Sequence, residues 1–155
     1  MIKELFWVFL AGTSPVLEVR VAIPLGIFVF KLNIFLVYIV AVVGNFIVVP
    51  LLLIFLRYFS EFLMHRFYFF NRLLSFVFSM TRARHSPKFE KLEYWALAVL
   101  VAIPLPLTGA WTASLCAFLF DIPFKKSLWL IGAGIMVAGL IVVALSLLGK
   151  GIFLG

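Results

Sequence analysis

The chain has 155 residues and a net charge of +7. Only 12% of its residues are charged, 66% are hydrophobic, and the mean hydropathy is +1.25. Soluble domains are about 45–50% apolar and about 25% charged. This composition therefore excludes a soluble globular protein and indicates an integral membrane protein. We expect a single membrane domain, 1–155, with no room for a soluble enzyme domain.

The first apolar segment, residues 5–30, is interrupted by polar residues, glycine and proline. Glu18 and Arg20 would each cost about 2.5–3.5 kcal/mol at the centre of a lipid-facing helix, and Pro15 and Pro24 would leave backbone carbonyls without partners. Interrupted backbone is tolerated at membrane depth only where it is buried in protein or lines a cavity. We therefore expect a re-entrant hairpin over 5–30.

Residues 32–56 are the first clear transmembrane span, and Asn33 and Asn45 are its only strongly polar residues. In residues 57–80, basic and polar side chains lie on one helical face and phenylalanines on the other. This pattern predicts an interfacial amphipathic helix in the headgroup plane, and the alternative is a span displaced by its charges. Residues 81–95 read as a polar loop.

Residues 96–120 carry no charge but contain proline and glycine, so they predict a second broken segment. A short polar turn, 121–126, leads into the last span, 127–148. Glycines in this span permit close contact between helices.

The two halves of the chain therefore match, with repeat one at 5–56, repeat two at 96–148 and the amphipathic helix and loop, 57–95, between them. The pentapeptide Val-Ala-Ile-Pro-Leu occurs at 21–25 and again at 101–105. Paired, interrupted apolar segments at matching positions predict a transporter built from internal repeats, whose site lies where the broken segments meet.

The distribution of basic residues predicts the orientation. Seven of the thirteen lie in 57–95, so this stretch should be cytoplasmic. If 96–120 crossed the membrane completely, Lys125 and Lys126 would lie outside, against that rule. If 96–120 dips in and returns, they lie inside. The charge bias favours the second arrangement, an inverted repeat in which the hairpin 5–30 enters from outside, over four plain spans.

Glu18 and Arg20 are the ionisable residues of the first broken segment. Side chains at i and i+2 diverge on a regular helix but point the same way on extended backbone. Exposed to a cavity, Glu18 would bind a proton and Arg20 would bind a phosphate or carboxylate bidentately. The alternative is an ion pair that only holds the hairpin together.

The second broken segment contains a dense group of unusual residues: Pro104, Pro106, Thr108, Gly109 and Trp111. Prolines leave carbonyls without donors, and glycine permits unusual dihedral angles. Such a turn offers carbonyls and a hydroxyl to a ligand, and a half-helix starting near Thr108 would point its positive end at an anion. The alternative is that these residues only shape the hairpin tip.

Motifs of enzymes are absent from the sequence, which has no Gly-x-Ser-x-Gly, no His-Glu-x-x-His and no Walker lysine. We therefore expect neither an enzyme nor a cofactor. The single Cys116 makes no intrachain disulfide and no thiolate metal cluster. Because the basic residues adjoin membrane segments, they predict attraction to anionic lipid rather than to nucleic acid.

Two strings resemble the small multi-drug export protein family: Ser-Pro-Val-Leu-Glu-Val-Arg-Val-Ala-Ile-Pro-Leu-Gly at 14–26 and Val-Ala-Ile-Pro-Leu-Pro-Leu-Thr-Gly-Ala-Trp-Thr at 101–112. Val19 and Val21 replace the usual leucine and glycine, and Leu107 stands where glycine is common. That family is similar to the DedA/VTT superfamily, whose members have facing re-entrant hairpins and an amphipathic helix. Some of those proteins flip phospholipids or undecaprenyl phosphate.

The resemblance implies a prokaryotic cytoplasmic membrane protein that acts as a secondary transporter, scramblase or flippase for an anionic amphiphile such as a lipid or polyprenyl phosphate. The small chain predicts a homo-oligomer. The alternatives are a four-span small multidrug/proton antiporter and a non-transporting membrane assembly protein. The site residues carried over are Glu18, Arg20, Pro24, Pro104, Pro106, Thr108, Gly109 and Trp111.

Overall fold

The computed structural model describes residues 2–66, 72, 79, 87–104 and 109–153, and all regular structure in these ranges is helical, as the sequence predicts. The helices and one π-helical turn are, in chain order, α1 (Ile2–Thr13), α2 (Glu18–Pro24), the π-helical turn (Leu25–Val29), α3 (Ile34–Arg66), α4 (Pro87–Ala102), α5 (Ala110–Leu119) and α6 (Phe124–Phe153).

Two helices are long and apolar enough to cross a membrane, over Ile34–Ser60 in α3 and Phe124–Gly149 in α6. They coincide with the two predicted spans, and with the composition they indicate a membrane protein. The two helices pack side by side and run in opposite directions, since Tyr38 lies at Gly139 whereas Phe46, further along α3, lies at Gly132. The hydroxyl of Tyr38 donates to the Met136 carbonyl at 3.1 Å.

Small residues bring the long helices close together. A Cβ on Gly132 would lie 2.8 Å from the Phe46 ring, and one on Gly139 would lie 2.8 Å from the Tyr38 ring. Such separations leave no room for a larger side chain. Close contact of this kind is what drives helix association in lipid, where no hydrophobic force acts between helices.

The first broken segment folds as two short helices that pack on each other, α1 and α2. The break falls at 14–17, where Pro15 has no amide hydrogen and the Val16 amide bonds instead to the Ser14 hydroxyl at 3.4 Å. Gly12 lets α1 approach α3 closely, because a Cβ there would lie 2.8 Å from the Ala41 carbonyl oxygen.

The second broken segment also folds as two helices, α4 and α5, which contact each other. The Ile103 amide still bonds to the Val99 carbonyl at 3.0 Å, but Pro104 cannot continue the ladder. In the middle of α4, just before the predicted broken segment 96–120, the Lys126 ammonium donates to the Tyr94 hydroxyl at 3.0 Å and lies 4.7 Å from the centre of its ring. The chain before and after this broken segment therefore meets at one end of the bundle.

The halves share the order of two short helices and one long helix, but the repeated pentapeptide does not mark equivalent positions. Residues 21–25 lie after the first break, within α2 and the turn that follows, whereas 101–105 begin at the end of α4, before the second break. The spacing between matching elements is closer to ninety residues than to eighty. Lys31 and Asp121, both with positive φ, lie ninety positions apart, as do the first residues of α3 and α6.

Pro24 does not break the chain, contrary to the expectation for a proline in an apolar segment. It lies inside α2, and the backbone continues as a π-helical turn in which the Phe30 amide bonds to the Leu25 carbonyl at 3.1 Å. A proline removes one bond of the α-helical ladder, and widening to i→i+5 pairing lets the chain continue in the same direction.

Two predicted boundaries differ from the structure. Residues 57–66 continue α3 rather than starting a separate amphipathic helix, and most of 67–80 lies outside the described residues. The polar loop predicted over 81–95 is helical from Pro87, because proline is well suited to the first position of a helix. Residues 81–86 lie outside the described part of the chain.

Candidate functional site

Glu18 connects the two halves of the molecule. It is the first residue of α2 and only 5% exposed. Its carboxylate lies against Gly109, and a Cβ at Gly109 would overlap both carboxylate oxygens. Because Gly109 has extended backbone, with φ −171°, the glycine is needed here for space and not for its conformational freedom.

The partner of the carboxylate is the start of α5. The backbone amides of Ala110 and Trp111 face Glu18, and Gly109, as N-cap, supplies no side chain to them. The first amides of a helix have no partner within it, and they carry the positive end of the helix dipole. Glu18 therefore serves as the N-terminal cap of a helix in the other half of the chain.

Arg20 completes the charged group. One of its terminal nitrogens lies 3.9 Å from Glu18 Oε2, and the two side chains are 17% and 6% exposed, respectively. Side chains two positions apart diverge on a regular helix. Here they converge because Glu18 has φ +48°, a left-handed conformation that costs a residue with a Cβ about 1–2 kcal/mol. The structure retains this strain where the carboxylate meets α5.

Trp111 closes the junction from the other side. Its indole Nε1 donates to the Thr13 carbonyl, at the end of α1, at 3.3 Å. The junction thus consists of the break of the first segment and the N-terminus of α5. The Thr13 carbonyl carries no sequence signal, because any residue could supply it.

Four of the eight predicted site residues come together in this junction: Glu18, Arg20, Gly109 and Trp111. Pro24 is half-buried within α2, and Pro104, also half-buried, ends the helical part of α4. Both shape the broken segments, and no contact places them on the charged pair. Pro106 and Thr108 lie outside the described residues. The predicted half-helix is confirmed, although it begins at Ala110.

Asn45 is a further buried polar residue that the sequence reasoning left without a role. It is 1% exposed, and its Oδ1 has no hydrogen-bond partner among the described residues. It lies in α3 beside α1, since a Cβ on Gly12 would lie 3.4 Å from the backbone nitrogen of Asn45. The sequence feature that could have identified Asn45 is its position as an amide side chain in the middle of an apolar span.

The junction is suited to binding an anion when Glu18 binds a proton. A carboxylate occupies a place that is built for negative charge, between a guanidinium and the N-terminus of a helix. Protonation of Glu18 would release both groups to an anion from outside. No cluster of three or more histidine, cysteine, aspartate or glutamate residues that could hold a metal occurs in the described part of the chain.

Comparison with known proteins places these residues in a family. A family model described as "Putative small multi-drug export protein" matches residues 18–141. The match starts at Glu18 and includes Arg20, Gly109 and Trp111. No curated protein and no solved structure matches the chain. The similarity to the DedA/VTT superfamily stays a prediction.

Proposed function

Since the chain belongs to the Putative small multi-drug export protein family, we propose that it is a proton-coupled membrane transporter or scramblase for an anionic amphiphile, most simply a lipid phosphate. The observation that carries the proposal is the Glu18 carboxylate held between Arg20 and the N-terminus of α5. A buried charged pair inside a membrane domain is costly, and such pairs mark substrate and proton pathways.

The exchange would proceed at Glu18. With Glu18 ionised, its carboxylate neutralises Arg20 and the amides of α5, and the junction is closed. When Glu18 takes up a proton, its attraction to these groups falls, and the phosphate of the amphiphile binds Arg20 in its place. Release of the proton on the other side would restore the carboxylate and displace the phosphate. One proton and one anion would move together.

The arrangement of the helices supports a second hairpin that begins and ends at the same end of the bundle. Arg57 of α3 and Phe124 of α6 line one cleft, and Lys126 contacts Tyr94 of α4, so the second hairpin begins and ends at this basic end. The first broken segment ends beside the start of α3, since a Cβ on Gly26 would lie 2.6 Å from Val37. It begins further along α3, because α1 runs antiparallel to α3, with Gly12 at Ala41 and Phe9 at Gly44. We propose that the basic end is cytoplasmic and that the hairpins meet near the midplane.

Labelling of single cysteines tests this topology. We expect a cysteine at position 125 to be protected from a membrane-impermeant maleimide in intact cells, in a chain that also carries Cys116→Ala. Lys125 is exposed, whereas Lys126 contacts Tyr94. A cysteine at Lys31, which is exposed and precedes the start of α3, should be labelled. Labelling of position 125 in intact cells would instead show four plain spans.

Transport by reconstituted protein tests the mechanism. We expect Glu18→Gln and Arg20→Ala each to reduce movement of a fluorescent lipid phosphate across proteoliposomes by at least about 100-fold, because loss of a charge-assisted contact to a buried group costs about 3 kcal/mol or more. Elution as a folded species on size-exclusion chromatography is the control for each variant. Full activity in both variants would contradict the proposed role of the pair.

The name of the family supports a second candidate, a drug/proton antiporter in which Glu18 binds the cation. Resistance of cells to cationic drugs on expression, lost in Glu18→Gln but kept in Arg20→Ala, would favour this candidate, because a cation needs the carboxylate and not the guanidinium. Transport of neither lipid nor drug, together with copurification of one partner, would indicate an assembly protein.

A further inference from the structure

A second feature, whose lining residues do not include the charged pair, lies along the seam between α3 and α6. An apolar cleft of about 660 Å³ opens there. Its walls include Val42, Phe46 and Pro50 of α3 and Leu128, Gly132 and Met136 of α6. These residues recur every four positions, so each set forms one stripe along its helix. Nothing in the described part of the chain covers the cleft.

The same seam continues to a polar end. A further cleft of about 560 Å³ is lined by Ile54, Arg57 and Tyr58 of α3 and by Phe124 of α6. Ile54 and Tyr58 extend the α3 stripe by further steps of four, and Phe124 precedes Leu128 by the same step on α6. The two clefts are therefore consecutive parts of one groove that is apolar along most of its length and ends at an arginine.

The length of the groove matches one lipid. From Val42 to Ile54 an α-helix rises about 18 Å, and one leaflet of a bilayer has a hydrocarbon thickness of about 15 Å. Trp129 borders the groove and is 80% exposed, and Tyr58 at its end is 72% exposed. Exposed tryptophan and tyrosine settle at headgroup level, which places Arg57 at the depth of lipid phosphates.

The charge of the groove selects an anionic occupant. None of the described residues that line either cleft is acidic, and the exposed Lys125 directly follows Phe124. A guanidinium binds phosphate oxygens bidentately, and cationic residues near the membrane surface favour anionic over zwitterionic lipid. Apolar walls with a cationic end are complementary to a lipid with an acyl chain and a charged phosphate.

We propose that the seam between α3 and α6 is a binding site for a resident anionic phospholipid, with its phosphate at Arg57 and an acyl chain along the stripe from Ile54 to Val42. This site is separate from Glu18 and Arg20, and it goes beyond the proposed transport. The lipid fills the outer side of the contact between the two long helices and so stabilises it.

Native mass spectrometry of the full chain in mild detergent tests the site, with phosphatidylglycerol or phosphatidylcholine as the added lipid. We expect one phosphatidylglycerol per chain and no comparable retention of phosphatidylcholine. Arg57→Gln should weaken phosphatidylglycerol binding by about five-fold or more, since one basic residue near the surface contributes about 1 kcal/mol. Ala133→Trp, which fills the apolar cleft, should abolish retention.

Matched controls lie on the same helices. Arg66→Gln changes an exposed arginine of α3 that lies outside the groove, and Leu145→Trp enlarges an exposed residue of α6. Both should bind like the unaltered protein. Unchanged binding in Arg57→Gln and Ala133→Trp would overturn the proposal. The proposal would also be overturned if Ala133→Trp dissociated a dimer without affecting lipid binding, because the seam would then be a contact between two copies of the chain.

Discussion

Gly109→Ala is expected to abolish transport and to lower the free energy of unfolding by about 2–6 kcal/mol. Its methyl group would overlap the Glu18 carboxylate, and because Glu18 is 5% exposed the carboxylate has no solvent to move into. Overpacking costs about 1–3 kcal/mol, and leaving a buried polar group without its partners adds about 1–3 kcal/mol. Transport in proteoliposomes and denaturant unfolding in detergent measure the two effects.

A double-mutant cycle identifies the cause of this loss. In a Glu18→Ala background the added methyl group meets no carboxylate, so Gly109→Ala should cost less than about 1 kcal/mol there. Gly149→Ala is the matched control, since a Cβ at Gly149 meets no atom within 4 Å, and it should behave like the unaltered chain. An equal cost of Gly109→Ala in both backgrounds would show that Glu18 is not what the glycine accommodates.

Glu18→Gln and Arg20→Gln are each expected to lower the free energy of unfolding by more than the double variant does. Each single change leaves one charge in the junction without its neighbour, and breaking a buried pair costs about 3–5 kcal/mol, whereas replacing both members is often nearly neutral. The pair is 3.9 Å apart and Arg20 is 17% exposed, so the coupling energy between the two residues should be smaller than that cost, about 1–3 kcal/mol.

The same cycle separates a structural role from a functional one. The double variant should recover most of the stability but none of the transport, because it has neither the proton-binding carboxylate nor the anion-binding guanidinium. Arg66→Gln, on the exposed surface of α3, controls for a general effect of removing positive charge. A double variant that is both stable and active would mean that the pair only holds the hairpin.

The fold class and the long helices were predictable from composition and hydropathy, because apolar runs of this length are satisfied in lipid only as helices. The breaks were predictable in kind, since proline and buried charge disrupt a span. The positions of the breaks were less predictable. Pro15 and Pro104 end helices whereas Pro24 does not, because whether the backbone turns at a proline or widens into a π-helical turn depends on what packs around it.

The sequence by itself indicated which residues meet at the junction: a glutamate and an arginine in one apolar segment, and a glycine and a tryptophan after the prolines of another. Only the tertiary structure decided how they meet. The 3.9 Å pair depends on the positive φ of Glu18, and the contact with α5 joins residues about ninety positions apart. Such contacts arise from the packing of whole helices, which no local pattern of residues records.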